Sequence, residues 1–342
     1  MSRWREITAA IHVHSTFSDG RGNPDAIARA ARAANLDAVI LTDHNTMDAR
    51  RAGFEGYIDG VLMLVGMEVS RARMPHVLAL DVPNMDEEEI DPSTPPEIFK
   101  AIHEAGGMAI VAHPEGQRRI HFLLPAFVDW DNPDFDGVEL WGYMHDWIEE
   151  LRLWRLPAMV RAPLEHIGGP KASVMTGWDR ACRKRRVVGV GALDVHAKRV
   201  PLTPWVVFPY EHTFKTVRTH VLVDDIAGRA ERDIPALYEG LREGRCFVGY
   251  LPAGDARGFR FDLVTDDGER FPMGSELRYR PGATLEAEAP AEASIVLVRN
   301  GRLAARIEGN RMQRDVDTPG VYRVELRREG MPWIYSNPIY VR

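Results

Sequence analysis

The segment IHVHSTFSDG, at residues 11–20, combines an apolar strand, two histidines and a turn. Side chains on a strand alternate between its two faces, so His12 and His14 point to the same side and can bind one metal ion. Asp19 follows in the turn-forming Ser-Asp-Gly, where its carboxylate can fold back toward the strand and bind a second cation. The alternative interpretation is a strand with two hydrogen-bonded histidines and an ordinary Asx turn.

The composition is that of a globular protein. The 342 residues, 45% of them hydrophobic, allow a sizeable core and, by length, two domains. The net charge of -7 argues against general binding to nucleic acids or membrane surfaces, because phosphate groups select basic faces. Cys182 and Cys246 show no pairing pattern, so we expect neither a disulfide framework nor a cysteine zinc site. We find no apolar core of a signal peptide and no run of ~20 apolar residues, and we expect a cytoplasmic location.

Short apolar runs alternate with helical segments up to about residue 215. A strand at residues 7–13, a helix at 24–35 and a strand at 38–42 form a first βαβ unit. Further strands are predicted at 62–67, 76–80, 108–112, 136–140 and 187–191, and further helices at 95–105 and 173–185. Residues that can bind metals recur at the ends of these strands. In a barrel of parallel strands these ends share the face that carries the active site, so distant side chains are expected to converge. The metal-ligand candidates are His12, His14, Asp19, His44, Glu68, His76, His113, Asp194 and His196.

The pattern changes after about Val248, where short segments alternate between apolar and polar residues. The segments at 259–264, 284–288, 294–298 and 320–326 are typical of half-buried antiparallel strands. Asn300-Gly301 is a hairpin signal. We therefore predict a barrel domain over residues 1–250 and a small immunoglobulin-like β-sandwich over residues 251–342.

The motifs, in this order, resemble the PHP (polymerase and histidinol phosphatase) superfamily of metal-dependent hydrolases. The resemblance covers residues 7–215 and rests on HVH with a downstream Asp, TDH, GMEVS with a following His, AHP and DVH. It implies an α/β fold, a distorted (β/α)7 barrel of the PHP type. The chain also resembles the carbaryl-hydrolase-like (CehA/McbA) branch, which adds a β-rich carboxy-terminal domain.

The resemblance also implies a cluster of two or three divalent metal ions bound by the nine candidates. One ion would be bound by His12, His14, Glu68 and Asp194. Glu68 would bridge to a second ion, bound with His76 and His113. Asp19, His44 and His196 would bind a third. Mixed imidazole and carboxylate ligands suit Zn, Mn or Fe, whereas Mg and Ca prefer oxygen ligands alone.

Metal ions lower the pKa of a bound water from about 15.7 to about 7, which makes hydroxide available as a nucleophile. The leading hypothesis is a phosphoesterase that hydrolyses a small phosphomonoester or phosphodiester. Alternatives are a carbamate, amide or carboxylic ester hydrolase with the same metal centre, and a non-catalytic module stabilised by metal. His196 or Asp19 is the expected proton donor. Oligomeric state stays open.

Basic residues next to the motifs are candidates for binding a substrate anion. They are Arg118, Arg119, Lys198 and Arg199. Ordinary surface charge is the other interpretation of these four residues. We expect His145 to be exposed or to be hydrogen-bonded in the core, and Asp43 to orient the imidazole of His44.

Overall fold

The computed structural model describes residues 4–71, 73–83, 94–119, 122–149, 167–199 and 206–342. The strands up to residue 250 are β1 (Arg5–Val13), β2 (Ala38–Leu41), β3 (Gly56–Ile58), β4 (Val61–Val65), β5 (Met67–Val69), β6 (Val77–Leu80), β7 (Met108–Val111), β8 (Gln117–Arg119), β9 (Phe122–Leu124), β10 (Gly137–Gly142), β11 (Val188–Ala192), β12 (Val217–Val223) and β13 (Cys246–Tyr250). The helices are α1 (Pro24–Ala33), α2 (Asp48–Arg51), α3 (Pro95–Glu104), α4 (Tyr143–Glu149), α5 (Ala172–Cys182), α6 (Tyr210–Thr213) and α7 (Ala230–Arg242). Each of these helices is too short or too polar to span a lipid bilayer.

Two sheets form the amino-terminal part. In the first, β1 pairs in parallel with β2 and antiparallel with β12, and β2 pairs in parallel with β4. The second has the order β11-β10-β7-β6-β5. One cluster of buried apolar side chains takes members from β1, β2, β4, β6, β7, β11 and β12. The strands of both sheets therefore enclose a common core.

Backbone contacts connect the two sheets at both edges. The amide of His14 donates to the carbonyl of Val195 (3.0 Å), which places the segment after β11 beside β1. A parallel bridge joins His44 to Glu68 at the opposite edge. β6 runs antiparallel to both of its neighbours, so the regular βα alternation does not hold throughout this part. The mixed α/β class is confirmed, whereas the (β/α)7 barrel stays a prediction.

Gly66 explains how the chain passes from the first sheet to the second. A Cβ atom at this position would lie 2.6 Å from the carbonyl oxygen of Ala79, so only glycine fits without a shift of the backbone. The close approach separates the predicted strand at 62–67 into β4 and β5. It also delivers Glu68, the next residue but one, to the ends of the neighbouring strands.

The remaining strands are β14 (Arg260–Val264), β15 (Arg270–Pro272), β16 (Glu276–Leu277), β17 (Thr284–Arg299), β18 (Arg302–Asp315), β19 (Gly320–Arg328), β20 (Met331–Ser336) and β21 (Ile339–Val341). β17 replaces two predicted strands, because its first half pairs with β14 and its second half with β19. β20 pairs with β13, so one sheet continues past residue 250. The division into domains at 250 and the immunoglobulin-like sandwich stay predictions.

Candidate metal centre

The nine predicted ligands converge at the ends of the strands. They form three overlapping groups, in each of which one potential ligand atom per residue lies within 4.8 Å of the others. The groups made of predicted ligands alone are His12, His14, Glu68 and Asp194; Glu68, His76 and His113; and His14, Asp19, His44 and His196. A fourth group joins His113 and Asp194 to His145. Side chains from both sheets thus surround one small volume.

Glu68 lies between the groups. Its Oε1 is 2.8 Å from Nδ1 of His76 and 3.1 Å from Nε2 of His113. Its Oε2 is 3.3 Å from Nε2 of His12 and 3.4 Å from Nε2 of His14. The side chain is 1% exposed, so both oxygens are withheld from solvent. A single carboxylate can therefore serve two cations.

Asp19 lies at the open side of the centre. Its Oδ1 is 3.0 Å from Nε2 of His196 and 3.6 Å from Nε2 of His44. Its Oδ2 pairs with the ammonium group of Lys198 at 2.6 Å. The side chains of Asp19 and Lys198 are 41% and 54% exposed, whereas those of His12 and His14 are fully buried. The centre is therefore open to solvent at Asp19.

The backbone around the ligands departs from regular strand geometry. His12 has a φ of 65° and is an extra residue in β1 relative to β2. His113 and Asp194 also have positive φ values, of 28° and 51°. Simple strand alternation, the reason for which we expected His12 and His14 to converge, is therefore broken between them. They still converge, with ring centroids 5.0 Å apart, because the bulge redirects the imidazole of His12.

The buried ligand atoms fit a divalent metal ion. Nε2 of His12, both ring nitrogens of His14, Nδ1 of His44 and Oε2 of Glu68 have no hydrogen-bond partner within the described part of the chain. A buried polar atom without a partner costs about 1–3 kcal/mol. Several such atoms that face one volume indicate that a cation satisfies them, and the mixture of nitrogen and oxygen suits Zn, Mn or Fe.

The charges around the centre favour the protonation states that bind metal ions at His14, Glu68 and Asp194, but not at His12. Burial lowers the pKa of His14 to about 4, which keeps its imidazole neutral. Burial alone would raise the pKa of the Glu68 and Asp194 carboxyls, but the charge of His12 outweighs it and lowers both well below the usual range. Burial would lower the pKa of His12, but Glu139 and Glu68 raise it. Neutral imidazoles and ionised carboxylates are the forms that bind metals.

Asp19 shows the same balance near the surface. Burial would raise the pKa of its carboxyl, but the neighbouring His196 and Lys198 outweigh this effect and lower the pKa far below its usual value. His196 donates from Nδ1 to the carbonyl oxygen of Asp194 (3.0 Å), which directs its Nε2 toward Asp19. Asp19 and His196 thus form one polar unit at the open side.

Comparison with known families gives the identity of this region. Residues 10–119 match the PHP domain. The chain contains a PHP domain. The matched segment carries seven of the nine candidates, from His12 to His113, whereas Asp194 and His196 lie beyond it. The assignment to the CehA/McbA branch stays a prediction.

Several solved structures are similar to the chain. A two-domain protein of Bacteroides vulgatus that contains a predicted PHP-like metal-dependent phosphoesterase is 14% identical, with 99% of this chain and 96% of that chain covered and a TM-score of 0.49. A protein of Bifidobacterium adolescentis described as a metal-dependent phosphoesterase is 18% identical (60% and 93% covered, TM-score 0.35). An amidohydrolase of Chromobacterium violaceum is 16% identical (55% and 87% covered, TM-score 0.34). A comparison with curated proteins finds no match.

Two residues that contact the candidate ligands were not predicted as site residues. Glu139 accepts a hydrogen bond from Nδ1 of His12 (2.6 Å) and another from the amide of His113 (2.7 Å). Its signal in the sequence was an ionisable residue within the apolar strand β10, which is uncommon unless the residue is paired. His145, on α4, lies 2.8 Å from Asp194 and is buried in the centre. No local motif marks it.

The structure places the remaining predicted residues as follows. Asp43 accepts hydrogen bonds from Ser15 and Ser18, so it supports the loop after β1, and no bond joins it to the ring of His44 within the described residues. Arg199 is exposed. The side chains of Arg118 and Arg119, on β8, lie outside the described part of the structure.

Proposed function

We propose that the chain is a metal-dependent phosphoesterase that hydrolyses a small phosphomonoester or phosphodiester. The observation that carries the proposal is the set of overlapping ligand groups around Glu68, whose buried nitrogen and oxygen atoms lack partners among the described residues. The PHP domain over residues 10–119 supports the same chemistry. Two or three divalent ions, Zn, Mn or Fe, would be the cofactors.

The ions would supply a water of lowered pKa as the nucleophile and would neutralise charge on the phosphoryl oxygens. The residues that would hold them are His12, His14, Glu68 and Asp194 for one ion, Glu68, His76 and His113 for a second, and Asp19, His44 and His196 for a third. The chain itself must direct these ligands. Glu139 does so for His12, because an acceptor at Nδ1 leaves Nε2 directed toward Glu68.

The exposed edge of the centre would bind the substrate. Lys198 lies beside Asp19 and is more than half exposed, so its ammonium group can turn from Asp19 to a phosphate oxygen. Arg199, next in the chain and exposed, would add a second cation, and Arg118 and Arg119 remain candidates for the same role. The buried positions would bind metal and the exposed ones would bind substrate.

Proton transfer to the leaving group would also occur at this edge. His196 and Asp19 are the two candidates for this step. The hydrogen bond from Nδ1 of His196 to the backbone leaves only Nε2 for a ligand role. Asp19 is exposed and can contact both a bound substrate and a nearby water. The strongly lowered pKa of Asp19 keeps its carboxylate ionised, so Asp19 would first have to take up a proton, and both His196 and Asp19 remain candidates for this step.

Hydrolysis of a defined panel tests the proposal. Metal-free protein would be reconstituted with Zn, Mn or Fe and incubated with para-nitrophenyl phosphate, bis-para-nitrophenyl phosphate and para-nitrophenyl acetate. We expect release of nitrophenol from one or both phosphate esters, and its loss in His14→Ala. The control is His103→Ala, an exposed histidine whose ring pairs with Asp136 and which belongs to none of the ligand groups. Cleavage of the acetate alone would overturn the proposal in favour of the carbon-ester alternative.

A further inference from the structure

His145 contacts two of the predicted ligands from a separate element. It lies on α4, directly after β10, and is 1% exposed. Its Nε2 is 2.8 Å from Oδ2 of Asp194, and its ring stacks on that of His113, with centroids 4.4 Å apart and planes at 17°. None of the five motifs that indicated the metal centre includes this residue.

The two oxygens of Asp194 have different surroundings. Oδ1 lies 3.2 Å from Nε2 of His14 and 3.5 Å from Nε2 of His12, within the first ligand group. Oδ2 points the other way, to His145. A carboxylate oxygen has no proton to give, so the ring nitrogen of His145 is the donor in this contact. The contact with His145 holds Oδ2 away from His12 and His14, so Oδ1 is the oxygen that faces an ion in the first group.

The start of α4 is fixed independently of the metal centre. Asp146, next to His145, accepts hydrogen bonds from the indole of Trp141 and the amide of Gly169, both at 3.0 Å. Lys171 adds a contact of 3.3 Å to the same carboxylate. The donor of His145 is therefore presented from a rigid support, as is needed to hold a ligand in one orientation.

We propose that His145 is a positioning residue of the metal centre, which donates from Nε2 to Asp194 and holds it as a ligand through Oδ1 alone. The inference rests on the metal sites of the proposed function but not on the hydrolysis of any substrate. Partners of this kind typically change metal affinity by about 10- to 100-fold when they are removed.

Three variants separate the donor from the bulk of the side chain. His145→Leu removes the donor at similar volume. His145→Gln restores it, because the amide nitrogen of glutamine lies as many bonds from Cβ as Nε2 of histidine. The matched control is His103→Leu, which removes another imidazole–carboxylate contact of 2.8 Å, to Asp136, outside the ligand groups. If His145→Leu is unfolded by circular dichroism, His145→Phe replaces it and keeps a ring against His113.

The readouts are the dissociation constant for Zn²⁺, by competition with a chromogenic chelator, and the visible absorption of the Co²⁺-substituted protein. We expect His145→Leu to bind Zn²⁺ about 10- to 100-fold more weakly. Its Co²⁺ bands should also change, because a released Asp194 can bind through both oxygens and alter the coordination number. His145→Gln should retain most of the affinity and the wild-type bands, and His103→Leu should match wild type.

Three results would overturn the inference. Wild-type Zn²⁺ affinity and wild-type Co²⁺ bands in His145→Leu would show that the contact does not fix the orientation of Asp194. Equal losses in His145→Gln and His145→Leu would show that the imidazole itself is a ligand. A wild-type protein that binds neither Zn²⁺ nor Co²⁺ would overturn both this inference and the proposed function. If the Zn²⁺ affinities of the variants fall in the expected order but no phosphoester is hydrolysed, the inference is supported and only the phosphoesterase proposal is refuted.

Discussion

Replacement of Glu139 by glutamine should weaken metal binding without a change in the size of the side chain. Glu139 accepts one hydrogen bond from the ring of His12 (2.6 Å) and one from the backbone amide of His113 (2.7 Å). Glutamine has one acceptor oxygen and one donor group. When Nε2 of His12 binds a metal ion, Nδ1 carries the proton, so either orientation of the glutamine amide sets a donor against a donor and leaves at least one buried N–H without an acceptor.

The size of the effect follows from that unpaired group. A buried donor that loses its acceptor costs about 1–3 kcal/mol. If the cost falls on the conformation in which Nε2 of His12 faces the metal, affinity for Zn²⁺ falls by about 5- to 150-fold. Competition with a chromogenic chelator measures this constant. A parallel urea titration of the metal-free protein measures the free energy of unfolding.

Glu6→Gln is a matched control for this experiment. Glu6 also bridges an imidazole and a backbone amide, with contacts of 2.8 Å to Nδ1 of His220 and 3.0 Å to the amide of Gly258, but it belongs to none of the ligand groups. The Glu6→Gln variant should have a lower free energy of unfolding than wild type and an unchanged affinity for Zn²⁺. Wild-type Zn²⁺ affinity in Glu139→Gln would refute the idea that Glu139 sets the orientation of His12.

Three further predictions concern other parts of the molecule. Arg323→Met should lower the free energy of unfolding by about 3–5 kcal/mol, because it removes the contacts of 2.7 and 2.8 Å to Asp179 and leaves that carboxylate buried and unpaired. Urea titration measures the loss, and a loss below about 1 kcal/mol would contradict this prediction. Lys198→Ala should raise KM for a phosphoester by roughly 10-fold with an unchanged melting temperature, since a charged hydrogen bond contributes about 1.5 kcal/mol and the side chain is exposed; an unchanged KM would remove Lys198 from the substrate site. Burial would raise the pKa of Glu6, but its contacts with His220 and Arg260 outweigh this effect and lower the pKa. The carboxylate therefore stabilises the fold at pH values above its unfolded pKa of about 4.3, and this stabilisation is lost as the pH falls through the lower pKa of the folded state. Unfolding free energies measured at falling pH should therefore decline more steeply in wild type than in Glu6→Gln, and parallel curves would contradict this assignment.

The convergence of the candidate ligands was largely predictable from the sequence because they follow short apolar strands. His44, His113 and Asp194 each follow such a run within three residues, so convergence required only that the strand ends share a face. The local geometry was not predictable. His12 occupies a bulge with a positive φ, a conformation that only the pairing of β1 with β2 imposes.

The supporting residues were missed for a different reason. Glu139 and His145 act through contacts with His12 and Asp194, which lie 127 and 49 residues away in sequence. A local pattern carries no information on such contacts. The same holds for the long strand β17, which was interpreted as two strands because the pairing passes from β14 to β19 along its length. Tertiary pairing, not local propensity, decides these features.

Elemental analysis of the purified, reconstituted protein is the most direct test of the metal centre. Glu68 belongs to two groups of potential ligands, through Oε1 to one and through Oε2 to the other. Our account predicts two or three Zn, Mn or Fe ions per chain in wild type, and fewer in Glu68→Ala. It would be contradicted by a wild-type chain that holds no divalent metal after reconstitution, or by a Glu68→Ala variant that holds as many ions as wild type.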